Sequence, residues 1–171
     1  MKLTSRALAP AATAAFALAM AASGAALGQT PAGPPKPDLS PMLFFVGDWT
    51  CSTTKTPEPS RMGKVTKLTV TADSRGYWLT QMTDRGVSFI TWDAKKNIWA
   101  FVGIGAGGYG VSTSPGWTGN TLVVTDQYNS GNDPVATVTF TRLGDTAFDI
   151  TYSVAAPQPF SETNSCTKPA T

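Results

Sequence analysis

From residue 47 onward, no stretch of the chain sustains an apolar stripe at the 3.6-residue period of a helix. It reads instead as short runs of Val, Ile, Thr and aromatic residues cut by turn residues. The runs span 48–54, 62–72, 77–83, 87–93, 98–104, 108–112, 121–127, 135–143, 147–154 and 160–167. Between them stand Asp73-Ser74-Arg75-Gly76, Asp84-Arg85-Gly86, Asn129-Ser130-Gly131-Asn132-Asp133-Pro134 and Gly144-Asp145. Glycine supplies positive φ there, and Asn or Asp bonds its own backbone. Ten short strands joined this way form an antiparallel meander. A long meander has to protect its margins, and closure into a barrel removes them. The expected fold is all-β, a single up-and-down barrel of about ten strands, with a two-sheet sandwich as the competitor.

The alternation within strands separates a soluble barrel from one in the outer membrane. Ala136-Val138-Phe140 and Phe148-Ile150-Tyr152-Val154 make dry faces. Their reverse sides, Val135-Thr137-Thr139-Thr141 and Ala147-Asp149-Thr151-Ser153, are polar. A lipid-facing wall needs an apolar residue at nearly every second position. One wet face and one dry face fit an aqueous barrel with an apolar interior.

The N-terminus has a different character. Lys2 and Arg6 precede an Ala-rich apolar run that extends from about Ala7 to Leu27, and Ala26-Leu27-Gly28, directly before Gln29, has small-x-small form. This is the pattern of a cleaved signal peptide over residues 1–28, with Ala25 and Ala26 as alternative cleavage points. An uncleaved anchor is the competing reading, since the run is long enough to span a bilayer. A lipoprotein is excluded because no Cys stands near the cut. Residues 29–41, with five prolines from Thr30 to Pro41, read as a linker. The domain is then expected over 42–171, with one helical turn near 42–46 closing an end of the sheet.

Export changes the charge argument. The chain has 13 Lys+Arg against 11 Asp+Glu. Lys2 and Arg6 are the excess, so the remainder is formally neutral and has no basic stripe for nucleic acid. Export to an oxidising compartment, periplasmic or extracellular, also makes the two cysteines, Cys51 and Cys166, a disulfide pair. No membrane span is expected after cleavage.

Among short motifs, Gly47-Asp48-Trp49 at the first strand of a meander resembles the calycin pattern of lipocalins and fatty-acid-binding proteins. The resemblance implies that Trp49 plugs one end of the barrel under a late cation, and Lys168 is the cation available. A longer resemblance rests on four pieces: Gly47-Asp48-Trp49-Thr50-Cys51, Trp92-Asp93 through Trp99, Tyr109-Gly110-Val111-Ser112-Thr113-Ser114-Pro115-Gly116-Trp117, and Ser165-Cys166. Together they are similar to an uncharacterised exported bacterial family, a domain of unknown function. That resemblance implies a lipocalin-like barrel and export but no activity. Haem ligation by histidine, found in a related barrel type, does not transfer, because the chain has no histidine.

Gly103-Ile104-Gly105-Ala106-Gly107-Gly108 matches the dinucleotide fingerprint in letters only. The third glycine should open a helix, and strand-like residues follow instead. A glycine-rich barrel mouth, open to a ligand, is the expected reading. Without histidine there is no Ser–His–acid or Cys–His arrangement. The carboxylates fall mainly at turns, and Asp126, Asn129, Asn132 and Asp133 fit no defined calcium spacing. No catalytic residue, metal or cofactor is expected.

Pairing across Ala94-Lys95-Lys96-Asn97 sets Trp92 opposite Trp99 and Ile90 opposite Phe101, all on one face. The expected function is binding of a small apolar or amphipathic molecule inside the barrel. Trp78, Met82, Trp92, Trp99, Phe101 and Tyr109 are the candidate lining, and Arg142 the candidate partner for an acidic head group. The alternative is a structural or interaction module of the cell envelope with a packed interior.

Overall fold

The structure is a computed structural model that describes residues 33, 35–55, 67–130, 135–155 and 157–169. The expected signal segment, most of the linker before residue 35, and residues 62–66 of the second expected strand lie outside the described residues. Every other expected strand is present. In chain order they are β1 (Gly47–Lys55), β2 (Lys67–Ala72), β3 (Leu79–Thr83), β4 (Gly86–Asp93), β5 (Ile98–Gly105), β6 (Gly108–Ser114), β7 (Trp117–Thr118), β8 (Thr121–Asn129), β9 (Ala136–Arg142), β10 (Ala147–Val154) and β11 (Phe160–Thr167).

All neighbours pair antiparallel in chain order, except that β6 pairs with β8 past the two-residue β7. The first and last strands also pair, with Thr50 opposite Thr167 and Ser52 opposite Ser165. Ten strands therefore close a ring, and β7 hangs outside it as an eleventh. That extra strand falls in the Ser114-Pro115-Gly116-Trp117 stretch, expected as loop. There Gly116, at φ 111°, bends the chain between β6 and β7, which both run antiparallel to β8, and the turn at Gly119-Asn120, with Gly119 at φ 58°, brings Trp117 opposite Leu122.

The two-residue period decides which side chains enter. On β11, Glu162, Asn164 and Cys166 are fully buried, while the residues between them face out. On β10, Phe148, Ile150 and Val154 are buried. The outer wall of these strands carries hydroxyls that bond across the ladder, Thr151 to Thr163 at 3.0 Å and Ser165 to Asp149 at 2.6 Å. The outer wall of β3–β6 is different. Met82, Val87, Ile104 and Tyr109 stand opposite one another in a single rung. Three of them are about half exposed, Met82 at 55% and Ile104 and Tyr109 at 52%.

A 3-10 helix, Ser40–Phe45, crosses one end of the barrel and carries Pro41 in its first turn, where the missing N–H costs nothing. Core packing starts at Leu39, within the stretch expected as linker, because Leu39, Met42 and Phe45 all drop into the barrel end. Trp49, 2% exposed, meets them from β1. Its indole N–H donates to the Phe45 carbonyl at 2.8 Å, and its ring lies 4.6 Å from that of Phe148. The Lys168 ammonium sits 4.6 Å over the same ring and reaches the Phe44 carbonyl at 3.4 Å. Gly47 makes this possible: its φ of 130° excludes most side chains, and a Cβ there would press on the Lys168 stem at 3.3 Å.

Cys51 and Cys166 are directly opposite on β1 and β11 and are joined by a disulfide that spans 115 residues of sequence. A crosslink over so long a loop removes much of the freedom of the unfolded chain, worth about 4–5 kcal/mol in the chain-entropy account. The double variant Cys51→Ala/Cys166→Ala is expected to lose about 3–5 kcal/mol of unfolding free energy in urea titrations. A loss below about 1 kcal/mol would show that strand pairing alone holds the closure.

Candidate functional site

The two ends of the interior are filled differently. Near the helix the inward positions carry Trp49, Trp99, Phe140 and Phe148 and are densely packed. Toward the other end the inward positions of β4–β6 are Gly86, Ser88, Gly103, Gly105, Gly110 and Ser112, which cannot fill the ring. Between the two lies a cavity of about 210 Å³. Its apolar wall is Leu68, Phe101, Val124, Val138, Phe140 and Ile150, and its polar groups are Gln81, Thr83, Ser88 and Ser112. A second hollow of about 280 Å³ shares Gln81, Thr83 and Ser88 with it and reaches outward to Arg85, Gly105 and Gly110. The cavity therefore has an apolar floor, a polar collar and a glycine-walled mouth.

The glycine run sits at that mouth as the β5–β6 hairpin, with Gly108 at φ 117° and no helix after it. Gly86 and Gly105 are paired, and a Cβ on either would collide with a backbone carbonyl oxygen, that of Ile104 or Arg85 respectively. Asp126, considered above as a calcium ligand, faces inward and is already engaged. It accepts from the Ser112 hydroxyl at 2.7 Å and the Ala136 N–H at 3.1 Å. Asn132 and Asp133 lie outside the described residues. Among the described residues, no group of three or more His, Cys, Asp or Glu side chains is placed to hold a metal.

The residues chosen from sequence do not assemble into one lining. Phe101 lines the cavity. Trp92 and Trp99 do stand opposite each other, with rings 5.4 Å apart. They face a separate cleft of about 460 Å³ beside the helix, bounded by Asp38, Pro41, Pro115, Gly116 and Trp117. Leu79 points inward, so Met82 falls on the outer face, and Trp78 packs under the Arg75 guanidinium at 4.9 Å. Tyr109 is outside too, opposite Ile104 and beside Tyr128. Arg142 lies 4.1 Å over the Phe44 ring and 3.6 Å from Asp145, so it belongs to the plugged end. Sequence reasoning favoured aromatic residues and passed over Gln81, Thr83, Ser88 and Ser112. The inward parity that Ile90 and Phe101 set on β4 and β5 already placed Ser88 inside.

The Ser40 backbone N–H, and then its hydroxyl, hold the Asp38 carboxyl below its ordinary value at the mouth of the aromatic cleft. Tyr128 is held above 10.0, first by its hydrogen bond with Tyr109 and then by the electrostatic cost of charge beside that phenol.

No protein-family model matches the chain, and no curated sequence matches it either. Fold and cavity define a class, a closed antiparallel barrel consistent with a lipocalin-like up-and-down barrel, plugged at one end and open at the other. Its buried disulfide suits a non-reducing, extracytoplasmic environment. Among the described residues no helix is long and apolar enough to cross a membrane.

The raised Tyr128 pKa gives a pH test. The phenol pair contributes its stabilisation below the ordinary tyrosine value and loses it as pH rises through the folded value. Phenolate absorbance should show one tyrosine ionising late, and Tyr109→Phe should remove the delay. An unchanged titration in that variant would place the cause elsewhere.

Proposed function

We propose that this chain is an exported barrel that binds one small apolar or amphipathic molecule in its cavity. The observation that carries the reading is the unfilled interior itself, an apolar floor under a polar collar that opens to the surface. Packed cores leave few voids larger than a water molecule. An engineered apolar cavity of about 150 Å³ takes up benzene, so this one suits a molecule of roughly one substituted ring. Burial of apolar area drives binding, and Gln81, Thr83, Ser88 and Ser112 orient whatever polar group the molecule carries. Binding rather than turnover fits the chain's chemistry, since it has no histidine and Cys51 and Cys166 are joined. The Lys2, Arg6 and apolar-run pattern supports export to the periplasm or beyond, as does the likeness to the exported family of uncharacterised barrels.

One observation favours a second reading. The exposed rung of Met82, Ile104 and Tyr109 is a surface suited to a macromolecular contact, as an envelope interaction module would have.

Titration with a panel of single-ring apolar probes, followed by tryptophan fluorescence or calorimetry, is expected to saturate at one equivalent. Val124→Phe, which fills the cavity from β8, should weaken that binding at least tenfold while the barrel still unfolds cooperatively. Absence of saturable binding across the panel would favour the interaction module. Mass spectrometry of the exported protein is expected to place its first residue at Gln29, and an intact Met1 would sink the cleavage reading.

A further inference from the structure

The cleft of about 460 Å³ beside the 3-10 helix has no part in the cavity reading. Three tryptophans converge on it from separate strands, Trp92 on β4, Trp99 on β5 and Trp117 on β7. Their rings are held in place. Trp99 is buried and meets Trp92 edge to face, with centroids 5.4 Å apart. Trp117 stacks on Phe45 at 5.6 Å, and its indole N–H donates to the Pro41 carbonyl at 2.8 Å. Gly116 keeps the space beside Trp99 open. A Cβ there would stand 3.5 Å from the indole nitrogen, so a side chain would fill the cleft. A cleft walled by packed rings is occupied without much rearrangement, and that preorganisation favours binding.

The chemistry of the wall selects for positive charge. Aromatic faces are negative, and indole attracts cations best of the aromatic side chains. Asp38 is the one charged residue on the border. The Ser40 backbone N–H donates to its Oδ1 at 2.9 Å and favours the ionised carboxylate. Among the described residues no ion pair engages it. The neighbouring cations stand off the border. Arg142 lies over Phe44, 5.8 Å from the Trp117 ring, and pairs with Asp145, while Lys95 and Lys96 are exposed in the β4–β5 turn. A sugar or a primary ammonium would need several directed hydrogen bonds. The wall offers few, since the Trp117 N–H is already given to Pro41 and Asp38 is the border's one acidic side chain. A methylated ammonium carries charge on an apolar surface and makes no such demand.

We infer that this cleft is a second binding site, for a methylated ammonium group such as the head of choline, seated among Trp92, Trp99 and Trp117 with Asp38 as its counter-charge. The inference stands apart from the inner cavity and does not depend on it.

Four probes test it in the intact protein by tryptophan fluorescence: choline, its uncharged carbon isostere dimethylbutanol, ethanolamine and glucose. Choline is expected to bind about tenfold more tightly than dimethylbutanol, and more tightly than ethanolamine or glucose. Asp38→Asn keeps an acceptor for Ser40 and removes the charge. It should weaken choline about threefold and leave dimethylbutanol unchanged. Trp92→Leu should weaken choline about tenfold. If that variant does not fold, Asp38→Asn, at an exposed position, decides. Val124→Phe, which fills the inner cavity, should leave choline binding unchanged. Sedimentation with phosphatidylcholine but not phosphatidylglycerol vesicles would assign the group to a lipid head, and choline binding without it to a soluble cation. Both results support the inference. No choline binding, equal affinity for choline and its isostere, tightest binding of ethanolamine or glucose, choline affinity indifferent to Asp38→Asn, or its loss in Val124→Phe would each overturn it.

Discussion

The pairing of the first strand with the last is the constraint on which the rest of the molecule depends. Before Thr50 meets Thr167, the meander is an open sheet with one face to bury and two unpaired margins. Once they meet, the margins vanish and the inward positions of ten strands enclose a common space. The disulfide stands on this seam, where it acts on the contact of greatest sequence separation and greatest entropic cost. Glu162, Asn164 and Cys166 are buried because the seam turns the inner face of β11 toward the opposite wall.

Closure creates an interior but does not fill it, and the two ends are finished by different chemistry. At one end the 3-10 helix adds Met42 and Phe45 to an aromatic cluster, with Lys168 and Arg142 spread over its outermost rings. These cations bring long aliphatic stems over apolar surface and keep their charges near solvent. At the other end glycine and serine take the inward positions of β4–β6, so the backbone itself forms the wall. The cavity is the boundary between these regimes, and its polarity follows the same gradient, apolar below and hydroxylic above.

Much of this was legible in the chain. Period-two alternation and turn chemistry located the strands within a few residues, and the Trp92–Trp99 and Ile90–Phe101 pairs followed from one hairpin turn. Lys168 over Trp49 followed from the Gly-x-Trp resemblance. The site was less legible, for an identifiable reason. Trp78, Met82 and Tyr109 were chosen by side-chain type, whereas the barrel sorts by parity, and parity on β3 and β6 is set by Leu79 and Ser112 pointing in. Ladder pairing propagates that parity from strand to strand, so choosing one inward residue settles its neighbours.

Sequence alone determined the strands and the turns, because each depends on residues close in the chain, and the cysteine pair, because the chain holds only two cysteines. Only the tertiary structure decided that the interior is hollow on one side, that Arg142 serves the plug, and that Asn164 lies fully buried on the rung of Ile150 and Phe140. These depend on how volumes and polar groups from strands more than a hundred residues apart meet across a closed ring. No local pattern encodes that sum of volumes, and the ring must exist before it can be taken.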